Sequence, residues 1–339
     1  MTDASTITPV GLDDGYAYTK VALPDGRLSV IPSRARVGRS DVTWVHQGRQ
    51  NIFEYETEGT RYSVGAVDGA PTHFEGYPFS GMNRVIVQHA LQQAGLGGQS
   101  IHAVSGLPVS AYYLRDGNQR HKTLEKKRAS LKQAVQPAAV GQLAAGIAFH
   151  EVIPEALAAW YDDVIVEQAG EAAIDEDRLC VPMAIVDIGG RTTDFVVVKD
   201  QGVIHGSSGS LQCGMLDVKQ QVANGIQERF DLEVLGEQLI AQAVENQVVR
   251  LHGKDYDIAP LVKVAKQHVI ERIHAETRRQ LGLGVELDRI LFVGGGTVAL
   301  AEDIANWFPN QAIAKHPAFA NARGMLKYLR YVCEASNAA

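Results

Sequence analysis

The chain has 339 residues, of which 45% are hydrophobic and 21% charged, and its formal net charge is −7. That composition is ordinary for a globular chain, and the length calls for two domains or one large domain with subdomains. An acidic chain suits direct binding to the DNA backbone poorly, so any contact with nucleic acid is expected to run through a partner.

The opening "MTDASTITPV" has no basic region and no apolar run, so no signal peptide is expected. "TPVGLDD" and "AYTKVAL" predict two strands around a turn, and "RLSVIPS", "NIFEYET" and "TRYSVGA" continue the β pattern. "NRVIVQHALQQAGL" has helical spacing closed by Gly95, and "IHAVSGLP" predicts a strand ending at Pro108. "NQRHKTLEKKRASLKQAV" predicts a basic helix whose charges are expected to be solvated rather than phosphate-binding. The longest stretch free of Asp, Glu, Lys and Arg, residues 133–150, is broken by Pro137, Gly141 and Gly146, and so is no membrane span. "HEVIP" predicts a strand, and "EALAAWYDDVIVEQAGEAA" a helix that puts Glu155 on its first turn.

The β pattern then restarts with "CVPMAIVDIGG", "TTDFVVVKD" and "GVIHGSS". Helices are expected in "GMLDVKQQVANGIQERF", "EQLIAQAVENQVVR" and "LVKVAKQHVIERIHAETRRQL". "RILFVGGG" predicts a strand running into a helix near Val298, and "NARGMLKYLRYVCEA" a closing amphipathic helix. Cys180, Cys213 and Cys333 are far apart and form no CxxC, so reduced thiols are expected rather than disulfides or a zinc site.

Strands then helices, twice over, suggests duplication. "LDDGYAYTKVALPDG" (12–26) aligns with "VDIGGRTTDFVVVKDQG" (186–202): Asp13 with Asp187, Gly15 with Gly189, Thr19 with Thr193, Lys20 with Asp194. Each stretch would be a hairpin with a glycine turn. Backbone N–H groups at such turns converge on anions, and Thr192 and Thr193 add hydroxyl donors. A carboxylate ending a buried strand needs a partner, and hydrated Mg²⁺ takes one or two carboxylates. Lys20 is a point charge for a phosphate. Gly294, Gly295 and Gly296 put flat backbone at a strand–helix junction, where either a base and ribose or tight helix–strand packing fits. Glu155 is the candidate to orient or deprotonate a water, against an ordinary acidic residue at a helix start.

"LDDGYAYTK" and "VDIGGRTTD" resemble the first and second phosphate loops of the superfamily that unites actins, heat-shock chaperones and sugar kinases. With "VSGLPVSAYY", "VIPEALA", "FVGGGTV" and "FANARGML" in the same order, the chain resembles plasmid-segregation actin-like proteins of the ParM/StbA type over about residues 8–332. The resemblance implies two α/β domains, residues 1–160 plus 320–339 and residues 161–319. Each would be a ribonuclease H-like, five-stranded mixed sheet with flanking helices, with nucleotide in the cleft between. It implies Mg²⁺-dependent ATP hydrolysis coupled to a homopolymeric filament in the bacterial cytoplasm. An adaptor protein on a centromere-like plasmid site would link filament to DNA, with no direct DNA contact and no membrane.

By the same resemblance Asp13 and Asp187 organise the metal through water, and Glu155 activates the attacking water alongside Asp187. Gly15, Tyr16, Lys20, Gly189, Gly190, Arg191, Thr192 and Thr193 would hold phosphate. Gly214, Gly294, Gly295, Gly296 and Thr297 would take the adenosine. Two places depart from the pattern. Tyr16, Ala17 and Tyr18 stand where the family usually has small or hydroxyl residues, so the Tyr16 backbone N–H is expected to act with its ring turned away. Arg191 fills a slot often held by a smaller residue and would contact phosphate or, slightly favoured, an acidic neighbour across the cleft. A metabolic kinase on the same fold is the alternative; a chaperone would need a peptide-binding domain for which the 339 residues leave no room. The loop "PTHFEGYPFSGM" (71–82) is either a filament contact or a lid on its own domain.

Overall fold

The computed structural model describes residues 7–40, 42, 52–168 and 171–333. The end of the expected last helix and the outer limits of the first expected domain lie outside these residues. Strands β1 (Thr8–Asp14), β2 (Tyr18–Ala22) and β3 (Leu28–Pro32) are followed by β4 (Ala35–Val37), β5 (Ile52–Thr57) and β6 (Thr60–Gly65). Helix α1 (Gly81–Gln93) leads to β7 (Ser100–Leu107), α2 (Val109–Tyr112), α3 (His121–Lys132), β8 (Gln136–Pro137) and β9 (Gly146–Pro154). Ser80 caps α1 by accepting the Asn83 N–H at 3.2 Å, and Gly95 follows its end at φ 84°. Helix α4 (Leu157–Val164) precedes β10 (Ile165–Gln168), β11 (Glu171–Ile174) and α5 (Glu176–Cys180).

The second half opens with β12 (Met183–Ile188), β13 (Thr193–Lys199), β14 (Gly202–Val203) and β15 (Gly209–Leu211). Helices α6 (Met215–Phe230) and α7 (Glu237–Asn246), strands β16 (Val248–Leu251) and β17 (Lys254–Asp257), and helix α8 (Ala259–Leu281) come next. The chain then runs through β18 (Arg289–Val293), α9 (Gly295–Ala299), β19 (Gln311–Ile313) and α10 (Ala320–Tyr328). No helix among the described residues is long and apolar enough to cross a membrane.

The two principal sheets repeat one plan. The first has the order β3-β2-β1-β7-β9; the second has β14-β13-β12-β18-β19, with β15 added to β13. In each, the central hairpin is antiparallel and the next two strands are parallel. Asp13 lies opposite Lys20 in the first hairpin and Asp187 opposite Asp194 in the second. Asp14 pairs with Thr19 as Ile188 pairs with Thr193. The sequence alignment of the two stretches is therefore also a structural register.

The second sheet is buried on both faces. Ile188, Phe195 and Phe292 pack with Val218, Val222, Val269 and Ile273 of α6 and α8. Ile185, Val196 and Leu291 face the other way, onto Trp160 and Val164. In the first sheet Val10, Leu12 and Ile101 pack with Val87 and Leu91 of α1. Its opposite face takes α10. A Cβ on Gly11 would lie 1.9 Å from the Ala322 carbonyl oxygen, and one on Gly324 would lie 1.7 Å from that of Ala158. Helix α10 therefore seats backbone to backbone on β1 and α4.

Three expected elements differ. The helix expected over residues 155–173 is only α4. Its β-branched run Val164–Val166 leads instead into the β10–β11 hairpin, where Ile165 pairs with Ile174. The domain boundary expected at residue 160/161 falls inside α4. Helix α7 stops at Asn246, because Gln247 takes φ 57° and the chain then pairs β16 with β17. Helix α9 begins at Gly295 rather than near Val298, so the glycines are themselves its first turn.

Candidate functional site

The turns of the two hairpins face one cavity of about 600 Å³. Asp13, Gly15, Tyr16 and Lys20 line it from the first hairpin. Asp187, Gly189, Gly190, Arg191 and Thr192 line it from the second, with Glu155, Gly294, Gly295 and Gly296 completing the wall. Asp13 and Asp187 end buried strands and are each 5% exposed. Lys20 Nζ donates to Asp13 Oδ2 at 2.7 Å. Burial works against the Lys20 charge, but the adjacent Asp13 outweighs it, aided by Asp187 and Glu155, and keeps the ammonium protonated.

Asp187 has two neighbours that fix it. Gly294, at φ 91°, leaves space for it: a Cβ there would sit 2.2 Å from Asp187 Oδ1. Asn321 on α10 donates to Asp187 Oδ2 at 2.6 Å and accepts the Ala156 N–H at 3.1 Å. Burial and the nearby Asp194 push Asp187 up to about 7, while the Asn321 bond pulls the other way.

Glu155 does not sit on the first turn of a helix; α4 starts at Leu157. Ala156 takes φ 61° and ψ −44°, and the Leu157 N–H donates to the Glu155 carbonyl at 2.7 Å. This is a tight γ-turn with positive φ, a strained shape for a residue with a Cβ. The surroundings hold it: Ala156 is fully buried, Asn321 takes its N–H, and the Glu155 N–H donates to the Leu107 carbonyl at 2.8 Å. The result is a carboxylate aimed at the cavity from a turn that cannot relax into the helix. Burial, then Asp194, Asp13, Asp187 and Asp14, raise its proton affinity well above the usual carboxylate range.

Three expected residues do not line the cavity. Thr193 donates its hydroxyl to the Cys213 carbonyl at 2.9 Å and is fully buried. Thr297 donates to the Val293 carbonyl at 2.5 Å. Both hydroxyls are spent on backbone. Gly214 caps α6, where a Cβ would lie 2.5 Å from the Gly190 carbonyl oxygen; it lets the helix close on the second turn and supports the loop from behind.

The two departures from the family pattern resolve differently from expectation. Tyr16 is not turned out of the cleft, and its ring lies under the Arg191 guanidinium, 5.1 Å from centroid to Cζ. Arg191 also donates from Nε to Gln212 at 3.2 Å and forms no ion pair with an acidic side chain among the described residues. An aromatic ring across the cleft takes the place of the expected carboxylate. The 71–82 loop packs largely on its own half, with Tyr77 fully buried and Phe74 40% exposed.

Sequence reasoning missed three residues. Asn321 is one. Lys127, within the basic helix expected to be solvated, is fully buried and forms an ion pair with Asp14, which Asn83 also bonds at 2.8 Å. Asp194 accepts the Val109 N–H at 2.7 Å and the Ser210 hydroxyl, tying β13 to α2 and β15. The signal for Asp194 was present in its alignment with Lys20, which marks a charge facing the same strand end.

Two α/β sheets of one plan, with paired carboxylate hairpins facing a shared cleft, define the actin-like class. Residues 10–164 match the family model described as plasmid segregation protein ParM, N-terminal, and residues 185–306 the model described as archaeal actin homologue MreB-like, C-terminal. An archaeal actin homolog of Thermoplasma acidophilum is 23% identical over 341 residues, covering 93% of this chain and 96% of its own. Among solved structures, a non-polymerisable quadruple mutant of pCBH ParM superposes with TM-score 0.75 at 18% identity, covering 96% of this chain and 99% of that one. A 15-stranded ParM filament from Clostridium botulinum gives 0.71 at 17% identity, over 95% and 99%. An archaeal actin homolog in complex with ADP gives 0.71 at 20%, over 98% and 100%. Each half of the chain thus matches a family model of actin-like proteins, and the whole chain shares the fold of ParM proteins and archaeal actin homologues. Its N-terminal half matches the ParM side and its C-terminal half the archaeal side.

Proposed function

We propose that this protein binds ATP in the cleft, hydrolyses it, and couples hydrolysis to assembly of a filament of its own copies. The observation that carries this is the convergence of two hairpins of identical register, each ending in a buried aspartate, on one cavity with Glu155. Backbone N–H groups of the Gly15 and Gly189–Gly190 turns, Lys20 and Thr192 would hold the phosphates. The cleft continues past Met215, Lys219, Glu245 and Lys266 beside Gly294–Gly296, where the nucleoside would lie.

Among the described residues no three His, Cys, Asp or Glu side chains converge as a direct metal cage. Asp13 and Asp187 nevertheless fit Mg²⁺ held through its waters, because that ion takes few carboxylates and the buried Asp187 is bonded by an amide rather than a cation. When bound, Mg²⁺ would neutralise phosphate charge. Glu155 would accept a proton from the attacking water, and its raised proton affinity makes it a stronger base than an exposed glutamate. Asn321 would keep Asp187 and the Glu155 turn in mutual position.

The ParM match over the N-terminal half and the filament-forming structural relatives support self-assembly. The proposed role is to move plasmid DNA, through an adaptor protein bound to a centromere-like site in the bacterial cytoplasm; the plasmid-segregation description of the N-terminal match is what supports the plasmid part. We propose two units, one comprising the first sheet with α10 and the other the second sheet, divided after α4 rather than at residue 160. The test is light scattering with ATP and Mg²⁺. Scattering should rise above a threshold protein concentration and decay as ATP is consumed. No scattering at any concentration, with ATP use that requires a small acceptor, would instead identify a metabolic kinase.

A further inference from the structure

Tyr16 and Arg191, two residues that depart from the family's hairpin pattern, meet each other across the cleft. The Tyr16 ring is fixed on the first half of the chain. It packs on Tyr77, with centroids 5.1 Å apart and rings at 38°, and Tyr77 is held edge-on by Phe74. The Thr72 hydroxyl donates to the Tyr16 carbonyl. On the second half, Gln212 Oε1 accepts from Arg191 Nε at 3.2 Å. The guanidinium therefore has one edge held and one face covered by an aromatic ring. Its Nη1 is buried and has no hydrogen-bond partner.

A stacked, tethered arginine with a buried donor left over is preorganised for an anion, because little further ordering is needed to complete its bonds. An unpaired buried N–H is also costly, which favours a ligand that satisfies it. Arg191 lines the same cavity as Glu155 and Lys20, where the reacting phosphate would stand. Gly190 and Thr192, which flank Arg191, line the same cavity.

We propose that Tyr16 and Arg191 form a clasp across the cleft in which Arg191 Nη1 donates to the terminal phosphate of a nucleoside triphosphate, so that the clasp distinguishes triphosphate from diphosphate. The clasp rests on the assignment of the cleft to ATP. With the terminal phosphate in place, first hairpin, guanidinium and nucleotide form one continuous stack of contacts between the halves. With a diphosphate, Nη1 has no anion to bond and the halves lose that link.

The test compares binding of ADP and of a non-hydrolysable ATP analogue, each with Mg²⁺, to the full chain and to Arg191→Met, Arg191→Lys and Tyr16→Leu. Arg191→Met should weaken the analogue by about tenfold to a hundredfold, the span of one charged hydrogen bond, and ADP by less than about threefold. Arg191→Lys should recover part of the loss, since it keeps the charge but not the stacked fork. Tyr16→Leu should follow Arg191→Met with a smaller loss. Equal weakening of both nucleotides, or no weakening of the analogue, in either arginine variant overturns the clasp while leaving the ATP assignment standing. A wild-type protein that binds neither nucleotide overturns the ATP assignment itself.

Discussion

Asn321 should be the residue whose loss most clearly separates support of the site from chemistry at it. It makes two buried bonds, one to the Asp187 carboxylate and one from the Ala156 N–H. A bond to a charged group contributes about 1.5–3 kcal/mol and a neutral one about 0.5–1.5 kcal/mol. Asn321→Ala removes both and leaves the Ala156 N–H unpaired in a turn already strained at φ 61°. Urea unfolding should therefore show a loss of about 3 kcal/mol. Steady-state phosphate release should fall by about tenfold to a hundredfold, because Asp187 and Glu155 lose their common brace. Asn321→Asp separates the two bonds. It still accepts the Ala156 N–H, but its carboxylate meets that of Asp187 in a buried site, so stability should return only at acid pH, where one of the two is protonated. It offers Asp187 a second carboxylate instead of a donor, so phosphate release stays low. Stability within about 0.5 kcal/mol of wild type together with unchanged phosphate release in Asn321→Ala would refute the bracing role.

Glu155→Gln should slow hydrolysis by about two to four orders of magnitude while leaving nucleotide-dependent assembly intact, read by phosphate release and light scattering. In the wild type, the acid limb of the rate profile should lie above the usual carboxylate range, as the raised Glu155 requires. Lys127→Met should cost about 3–5 kcal/mol in urea titration, since it strands the buried Asp14 charge. His89 is buried beside Tyr55 and Phe53, and burial pushes its imidazole down to about 4. Its contribution is complete above the ordinary histidine value near 6.5 and is lost as pH falls toward 4, so it should remove about 2 kcal/mol of stability by pH 5. His89→Gln should flatten that part of the stability–pH curve, measured by urea unfolding across the same range.

The two hairpins were legible because aspartate, glycine and the strand residues keep the same spacing in both, and a hairpin's register follows from that spacing. The repeated sheet order and the cavity at the turns come with them. Asn321 was not legible. It is one polar residue on an amphipathic helix, 134 positions from the Asp187 it bonds, and only the seating of α10 on β1 brings them together. Lys127 was hidden by its company: a run of lysines and arginines reads as a solvated face, and which one turns inward depends on where Asp14 ends its strand. The hairpin after α4 looked helical because alanine and glutamate surround the Val164–Val166 run. Thr193 and Thr297 carry the right hydroxyls at the right spacing, but alternation along β13 and the first turn of α9 point them at backbone carbonyls. Tyr16 and Arg191 were each visible as exceptions; their contact needed both halves in place.

Helix α10 has a consequence for how the protein is made. The strand that it covers leaves the ribosome well before the residues that cover it. With glycines at positions 11 and 324 allowing no side chain between the layers, nothing earlier in the chain can stand in for it. The second sheet, whose strands and whose α6 and α8 cover lie within residues 183–313, can form that core during synthesis. The first must wait with an apolar face uncovered, a long-range contact formed late and at a high entropic cost. Birth order in these two sheets is therefore reversed: the one translated earlier is completed later, and the cleft takes shape only when Asn321 arrives with α10.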